Sequence, residues 1–476
     1  MSSPTPALTV EESEVFHGFW RAWVMHGLSL LIPLAALGYV WTGPHPWFVA
    51  PLFIIPFAIF QWIDVRPRYE RRQPVESWPT RPFDAWVYLL TAVHFLILLG
   101  LVVMFSRQQI FSVDMVMVFV VVGGNSGFSI ITAHELIHRR GWLEQSLGRL
   151  LLSTVLYEHF FTEHLRGHHV RVGTSADPAT ARFGERYEAF FRRTVPGQFK
   201  SAWRIESRRL GDEAMKVWDR RMLGHRVLHG LILEWSLVAA VGWFFGLVAA
   251  LAYVLQAIMA VRLLEAVNYF EHWGLVRKGR RVRPEDSWDT HSWFTYYGLI
   301  GLSRHADHHA YPSRPYQKLR VWNESPILPV GYVGLVDLVL TRNDEFIEMA
   351  TQELKAKGLG PFSPEASGVD AEAAVGRQSK EGMLLTFWQG LPGALRLILG
   401  LATLLLGTAI GVTIESEGTL SWSTAILRNG LILAIILAVL FARQRLESFV
   451  ESGWISWAFG FSALVFFGWL SAPWTT

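Results

Sequence analysis

The sequence predicts an all-α integral membrane protein: a six-span helical bundle with a histidine-rich metal site at its cytoplasmic end, followed by a C-terminal extension of about three further spans. Three observations predict it. Hydrophobic residues make up 51% of the 476, and mean hydropathy is +0.26, which points to lipid as the main solvent. The apolar residues come in runs of about 20, the length that crosses a bilayer as a helix. Arginine-rich connections also alternate with connections that carry almost no positive charge, as they do in a threaded membrane chain.

Residues 1–19 are polar, with Glu11, Glu12 and Glu14. They lack the basic-then-apolar order of a secretory leader, so the first span is expected to act as the membrane signal. Four apolar runs follow, at 20–41, 47–63, 83–105 and 111–133. The connection 64–81 holds Arg66, Arg68, Arg71, Arg72 and Arg81, whereas 42–46 has no Lys or Arg and the third connection has Arg107 alone. Positive loops stay inside. The N-terminus and 64–81 are therefore expected in the cytoplasm, and the fourth span delivers His134 to that face. An arginine-rich segment, 134–226, leads to a tight pair of spans at 227–249 and 250–269. A basic loop (Arg277, Lys278, Arg280, Arg281, Arg283) and a cytoplasmic cap at 311–355 come next. From 358 to 382 the chain is rich in Gly, Ala, Ser and Glu, with Pro361 and Pro364, a linker composition. Three more apolar runs, 385–412, 425–441 and 454–470, would span again. The expected organisation is a short N-terminal segment (1–19), a six-span domain with its cap (20–357), a linker (358–382) and an additional membrane domain (383–476).

The chain has no cysteine. It can hold no disulfide and no Cys-ligated zinc, haem or iron–sulfur centre, so a metal must rest on histidines and carboxylates. Its formal charge is +3, with no Lys/Arg run interleaved with stacking aromatics, so nucleic acid is not suggested as a partner. There is no repeat of solenoid length.

Thirteen of the 17 histidines lie between 134 and 309, and nine of them form compact groups: His134 and His138; His164, His168 and His169; His272; and His305, His308 and His309. Read alone, His134-Glu135-Leu136-Ile137-His138 fits the zinc-peptidase pattern, two histidines on one helix face with Glu135 as base. Nine imidazoles are too many for one ion, since zinc takes about four ligands. They suit two ions sharing a site, and imidazole alone does not name the metal. A ligating histidine usually passes its second N–H to a carboxylate, and Glu135, Glu163, Glu271 and Asp307 beside the groups are the candidates for that role. His17, His26, His45, His94, His225 and His229 read as ordinary hydrogen-bonded or solvated rings, while His159 and His291 lie near the groups without sharing their spacing.

These residues carry a resemblance. His134-Glu-Leu-Ile-His138, Glu163-His-Leu-Arg-Gly-His-His169 followed by Asp177-Pro178-Ala179 and Arg182-Phe-Gly-Glu185, Asn268-Tyr-Phe-Glu-His272-Trp-Gly274, and Arg304-His-Ala-Asp-His-His309 with Pro312 and Arg314 resemble the membrane alkane 1-monooxygenases, over roughly residues 20–340. The resemblance implies a six-span fold with a histidine-box non-haem di-iron centre. It also implies O2-dependent hydroxylation of the terminal methyl of medium- or long-chain n-alkanes to 1-alkanols. Electrons would come from rubredoxin, or a ferredoxin, and its NAD(P)H-dependent reductase, and the site would face the cytoplasm from a bacterial inner membrane. Ser303 stands where that family usually has Gln, 286–298 matches it only in part, and the tail beyond 383 has no counterpart. On the same scaffold the alternatives are a methyl hydroxylase of alkylaromatics and an acyl-lipid desaturase or hydroxylase. The remote ones are a membrane zinc peptidase and a metal sensor or carrier.

Overall fold

Among the residues described by the computed structural model, 18–364 without 67, 109 and 111, five helices are long and apolar enough to cross a membrane. Residues 18–44, 52–110 and 114–364 belong to one compact unit, which carries everything below; 45–51, 112 and 113 belong to another. Nearly all of the expected N-terminal segment, most of the linker and all of the expected 383–476 membrane domain lie outside the described residues.

The first span, Phe19–Thr42, is made of α1 (Phe19–His26) and α2 (Leu31–Thr42) joined by a 3-10 turn. The second expected span is shorter than the sequence suggests. Its helical stretch runs only from Ala50 to Asp64, a 3-10 turn (Ala50–Ile54) that becomes α3 (Ile55–Asp64), with Pro56 in the first α turn, where proline's fixed φ suits a helix start. Then come α4 (Arg81–Phe105) and α5 (Val113–Ile137). After the helices of the polar segment, α10 (Arg226–Phe245) and α11 (Leu247–His272) form the tight pair. The break between them falls at Gly246, φ +90, and not at 249–250. Glycine takes that left-handed conformation at little cost. Two-thirds of the apolar window of α5 (67%) is buried by protein but only 17% of that of α10, so α5 stands inside the bundle and α10 presents its flank to lipid.

The polar segment between the spans folds as α6 (Trp142–Thr154), α7 (Phe160–Glu163), a π turn at His164–His168, α8 (His169–Arg171) and the long α9 (Tyr187–Arg209). Beyond α11 lie a two-residue parallel strand pair, β1 (Asp289–Thr290) with β2 (Ile327–Leu328), and the helices α12 (Trp293–Gly298), α13 (His305–Ala310), α14 (Tyr332–Thr341) and α15 (Asn343–Lys357). One apolar core runs through the ends of the spans, with Leu136, Ile137, Phe160, Phe270, Trp273, Trp288, Tyr316 and Tyr332 all buried in it.

Asp64, at the end of α3, ties this layer down. Its Oδ1 accepts from Ser292 Oγ (2.6 Å) and Thr295 Oγ1 (2.7 Å), and its Oδ2 from the Val333 N–H (2.8 Å) in the first turn of α14. Asp64 is buried, and a carboxylate at a helix N-terminus also meets the positive end of the helix dipole. Removing it strands at least three buried donors, and one unsatisfied buried group costs about 1–3 kcal/mol. Asp64→Ala is therefore expected to lower the thermal unfolding midpoint in detergent markedly, with Asp64→Asn in between. An unchanged midpoint for Asp64→Ala would contradict this role.

Candidate metal centre

Four elements bring the nine histidines together. The end of α5 supplies His134, with His138 one turn on, just past the helix end; their ring centroids are 4.9 Å apart. His272 is the last residue of α11, and α13 supplies His305, His308 and His309. The second group depends on the π turn, in which the His169 N–H reaches back five residues to the His164 carbonyl. In a regular α-helix, residues five apart point roughly 140° away from each other. The wider turn brings them onto one side, and the Nε2 atoms of His164 and His169 lie 3.0 Å apart. Such insertions in helices concentrate at functional sites.

The nitrogens converge in three groups, of which the last two share His272. His134, His138, His164, His169 and His308 can place one nitrogen each within 4.8 Å of all the others. So can His168, His272 and His309, and so can Glu271, His272 and His305. The first set is linked by Nε2–Nε2 separations of 3.0 Å (His138–His164), 3.0 Å (His164–His169) and 3.2 Å (His169–His308). In the third, His272 and His305 stand 3.2 Å apart. His164, His168, His272, His305, His308 and His309 are buried.

Hydrogen bonds cannot satisfy this arrangement. A ring nitrogen either donates or accepts once, so the four-atom chain from His138 to His308 can make at most two of its three contacts. The Nε2 atoms of His134, His168 and His309 are buried with no partner at all. Burial first, and then the neighbouring rings, hold the imidazoles of His138, His164, His169, His305, His308 and His309 well below the ordinary histidine value. They are neutral, the form that ligates. Two nitrogens about 2.1 Å from one cation are about 3 Å apart when they subtend a right angle at it, so the separations suit cations bound among the rings.

The carboxylates divide differently from the expectation. Glu135 accepts from Arg139 Nη2 (2.5 Å) and the Tyr316 N–H (3.4 Å). Glu163 accepts from Arg171 Nη2 (2.6 Å), and burial pushes its carboxyl up to about 7 against the pull of Arg171. Asp307 accepts from the Arg320 N–H (3.1 Å) and from Trp322 Nε1 (2.8 Å). None of these three is bonded to an imidazole among the described contacts; each side chain is engaged by Arg or Trp donors. Of the four candidates, Glu271 alone comes close to one, 3.3 Å from His305 Nε2, with Tyr332 Oη donating to its other oxygen at 2.7 Å. That places Glu271 among the converging atoms and not behind them.

The carboxylate behind a ring is Asp177. Its Oδ2 accepts from His168 Nδ1 at 2.8 Å and from Thr180 Oγ1 at 2.6 Å, which fixes the tautomer and leaves the lone pair on the partnerless His168 Nε2. No spacing rule points to Asp177; its only sequence signal was the Asp177-Pro178-Ala179 stretch. The other described histidines serve elsewhere. His94 meets Thr154 and Asn125, His225 accepts from the Leu228 N–H at the start of α10, His26 is ringed by Phe83, Tyr296, Tyr297 and Tyr316, and His159 packs on Tyr157 and Phe199.

Two outcomes follow for bound metal. Asp177→Ala should reduce metal retention about 10–100-fold, the usual loss when a histidine loses its supporting carboxylate, and metal analysis after dialysis against a chelator would show it. Lowering the pH should also strip the site. The buried rings have depressed values, so below about 6.5 the unfolded, metal-free chain takes up protons that the folded site refuses. Stability should be flat from pH 8 to 7 and fall below that, with metal released as the fold is lost. A stability that is unchanged down to about pH 4 would contradict the neutral-imidazole site.

Comparison with known proteins agrees with this geometry. The fatty acid desaturase family model matches residues 113–329. Alkane 1-monooxygenase 1 of Pseudomonas aeruginosa is 42% identical over 217 residues, 44% of this chain and 56% of that protein. Alkane 1-monooxygenase 1 of Alcanivorax borkumensis is 34% identical over 325 residues, covering 66% of this chain and 80% of that one. Alkane 1-monooxygenase 2 of P. aeruginosa is 34% identical over 351 residues, 68% and 88% respectively. The all-α membrane fold, the clustered histidines and these matches together make the chain a member of the alkane 1-monooxygenase family, the membrane oxidoreductases that its histidine groups resemble.

Proposed function

We propose that this protein hydroxylates the terminal methyl group of medium- or long-chain n-alkanes, converting hydrocarbon, O2, two electrons and two protons into a 1-alkanol and water. The observation that carries the reading is the convergence of nine imidazoles, in groups that adjoin through His272, in a chain of this family. His134, His138, His164, His169 and His308 would hold one iron, and His168, His272, His305 and His309 the other, with Glu271 beside the second. Bound iron supplies the oxygen activation that no amino-acid side chain offers.

The chain's own residues do the rest. The rings offer neutral lone pairs from four separate elements, so their positions are set by packing before metal arrives. Asp177 holds the His168 ring in its ligating tautomer, and Tyr332 donates to Glu271. The apolar ends of α5 and α11, with Leu136, Ile137 and Phe270 buried around them, keep water from the site. A hydrocarbon has nothing to hydrogen-bond, so it must be placed by shape between the spans. The chain has no cysteine for a relay of its own, which supports delivery of electrons by a separate rubredoxin or ferredoxin and its NAD(P)H-dependent reductase. Arg66, Arg68, Arg71, Arg72 and Arg81 support a bacterial inner-membrane placement with the histidines toward the cytoplasm. Residues 20–357 would form the hydroxylase and 383–476 an added membrane domain.

The peptidase alternative needs Glu135 free to activate water, and its carboxylate is held by Arg139. Expressed with a rubredoxin system, the protein should form 1-alkanols from n-alkanes in an O2- and reductant-dependent way, read by gas chromatography. His138→Ala, His168→Ala and His308→Ala should each lose at least about 100-fold, while His94→Ala should keep most activity if it folds. Alcohols from methyl-arenes but none from alkanes, or full activity in all three variants, would overturn the proposal.

A further inference from the structure

Away from the histidines, α9, the segment after it and the beginning of α10 line an open cleft of about 490 Å³, with Phe199, Lys200, Trp203, Arg204, Glu213 and Leu231 on its walls. Lys200 and Arg204 are one turn apart on the same face of α9, and both are exposed. The acids near them are already taken. Glu213 is paired with Arg208 at 2.5 Å, and Glu206 with Arg209 at 2.7 Å and Arg166 at 3.6 Å. Among the described residues, the cleft therefore carries two cations with no acid partner beside one neutralised acid.

Its other walls are apolar. Phe199 and Trp203 pack with centroids 6.0 Å apart, and Leu231 comes from the span α10. Ile232 and Trp235, next on that helix, are 57% and 61% exposed, on the flank that faces lipid. Leu231 stands five residues into α10, roughly 7.5 Å along its axis, so the cleft lies where a bilayer's headgroups give way to acyl chains. The segment between α9 and α10 points the same way: Val217, Trp218 and Leu223 are 64%, 77% and 83% exposed beside exposed Lys216 and Arg220, the composition of a strip lying in a membrane interface.

We propose that this cleft binds the headgroup of an anionic phospholipid, with Lys200 and Arg204 on the phosphate and the acyl chain along Trp203 and Leu231. A zwitterionic lipid brings its own ammonium group to two unpaired cations, so the site selects net negative charge. The apolar floor and the lipid-facing wall select a lipid over a soluble phosphate. Basic pockets beside membrane spans recognise anionic headgroups in this way.

The test uses the full-length protein in nanodiscs of phosphatidylcholine, alone or mixed with phosphatidylglycerol. Native mass spectrometry should find phosphatidylglycerol retained several-fold over phosphatidylcholine, and phosphatidylglycerol should raise the unfolding temperature. The double variant Lys200→Glu/Arg204→Glu should lose both effects, and Arg280→Glu, an exposed cation on another loop, should lose neither. If the reversed variant does not fold, Lys200→Gln/Arg204→Gln, monodisperse and with unchanged unfolding in phosphatidylcholine alone, should show the same loss. Equal retention by wild type and the folded double variant, or equal retention of the two lipids, would overturn the proposal. So would stabilisation by water-soluble glycerol phosphate equal to that by the lipid.

Discussion

Nine imidazole rings gathered at one end of a membrane bundle have fewer hydrogen-bond partners than their nitrogens require, and the structure around them is arranged to hold that deficit. A buried nitrogen without a partner costs about 1–3 kcal/mol, and His134, His168 and His309 each leave Nε2 in that state. Cations relieve it, because one ion takes several lone pairs at once. In the metal-loaded protein that binding energy becomes folding energy.

Because the rings come from α5, the π turn, α11 and α13, the centre exists only if those elements are held in register. Much of the polar architecture does that holding. Asp289 accepts from the Ala306 N–H at 2.8 Å and so anchors the first turn of α13. Arg320 and Trp322 fix Asp307, the residue before His308. Asp64 joins α3, α12 and α14 from the far side of the same layer. Most carboxylates near the centre thus position backbone, and Asp177 and Glu271 are the ones that meet a ring. The proposed lipid cleft between α9 and α10 lies on the chain segment that leads out of the second histidine group, so headgroup composition would act on α9, the first long helix after the π turn.

The spans and the histidine groups were legible in the sequence because hydropathy and residue spacing are local signals. The expected spans at 83–105 and 111–133 differ from α4 and α5 by a few residues at their ends. The short α3 and the break at Gly246 were less legible: a hydropathy window cannot separate a ten-residue helix from a crossing one, or see a φ of +90. The partners of the acids could not be read at all. Glu135, Glu163 and Asp307 sit next to histidines in sequence, yet a helix turns adjacent side chains about 100° apart, which sent them to Arg139, Arg171 and Arg320. Asp177 reaches His168 only because the chain folds back after α8, and the π turn that aligns His164 with His169 has no signature in the residues themselves.

The claim on which the rest depends is that nine imidazoles form two adjoining metal sites. Metal analysis of the full-length protein, purified anaerobically after growth with iron, combined with Mössbauer and X-ray absorption spectroscopy, tests it most directly. The account predicts two irons per chain with first shells dominated by nitrogen. One ion per chain, zinc in place of iron, or a shell dominated by oxygen would contradict it.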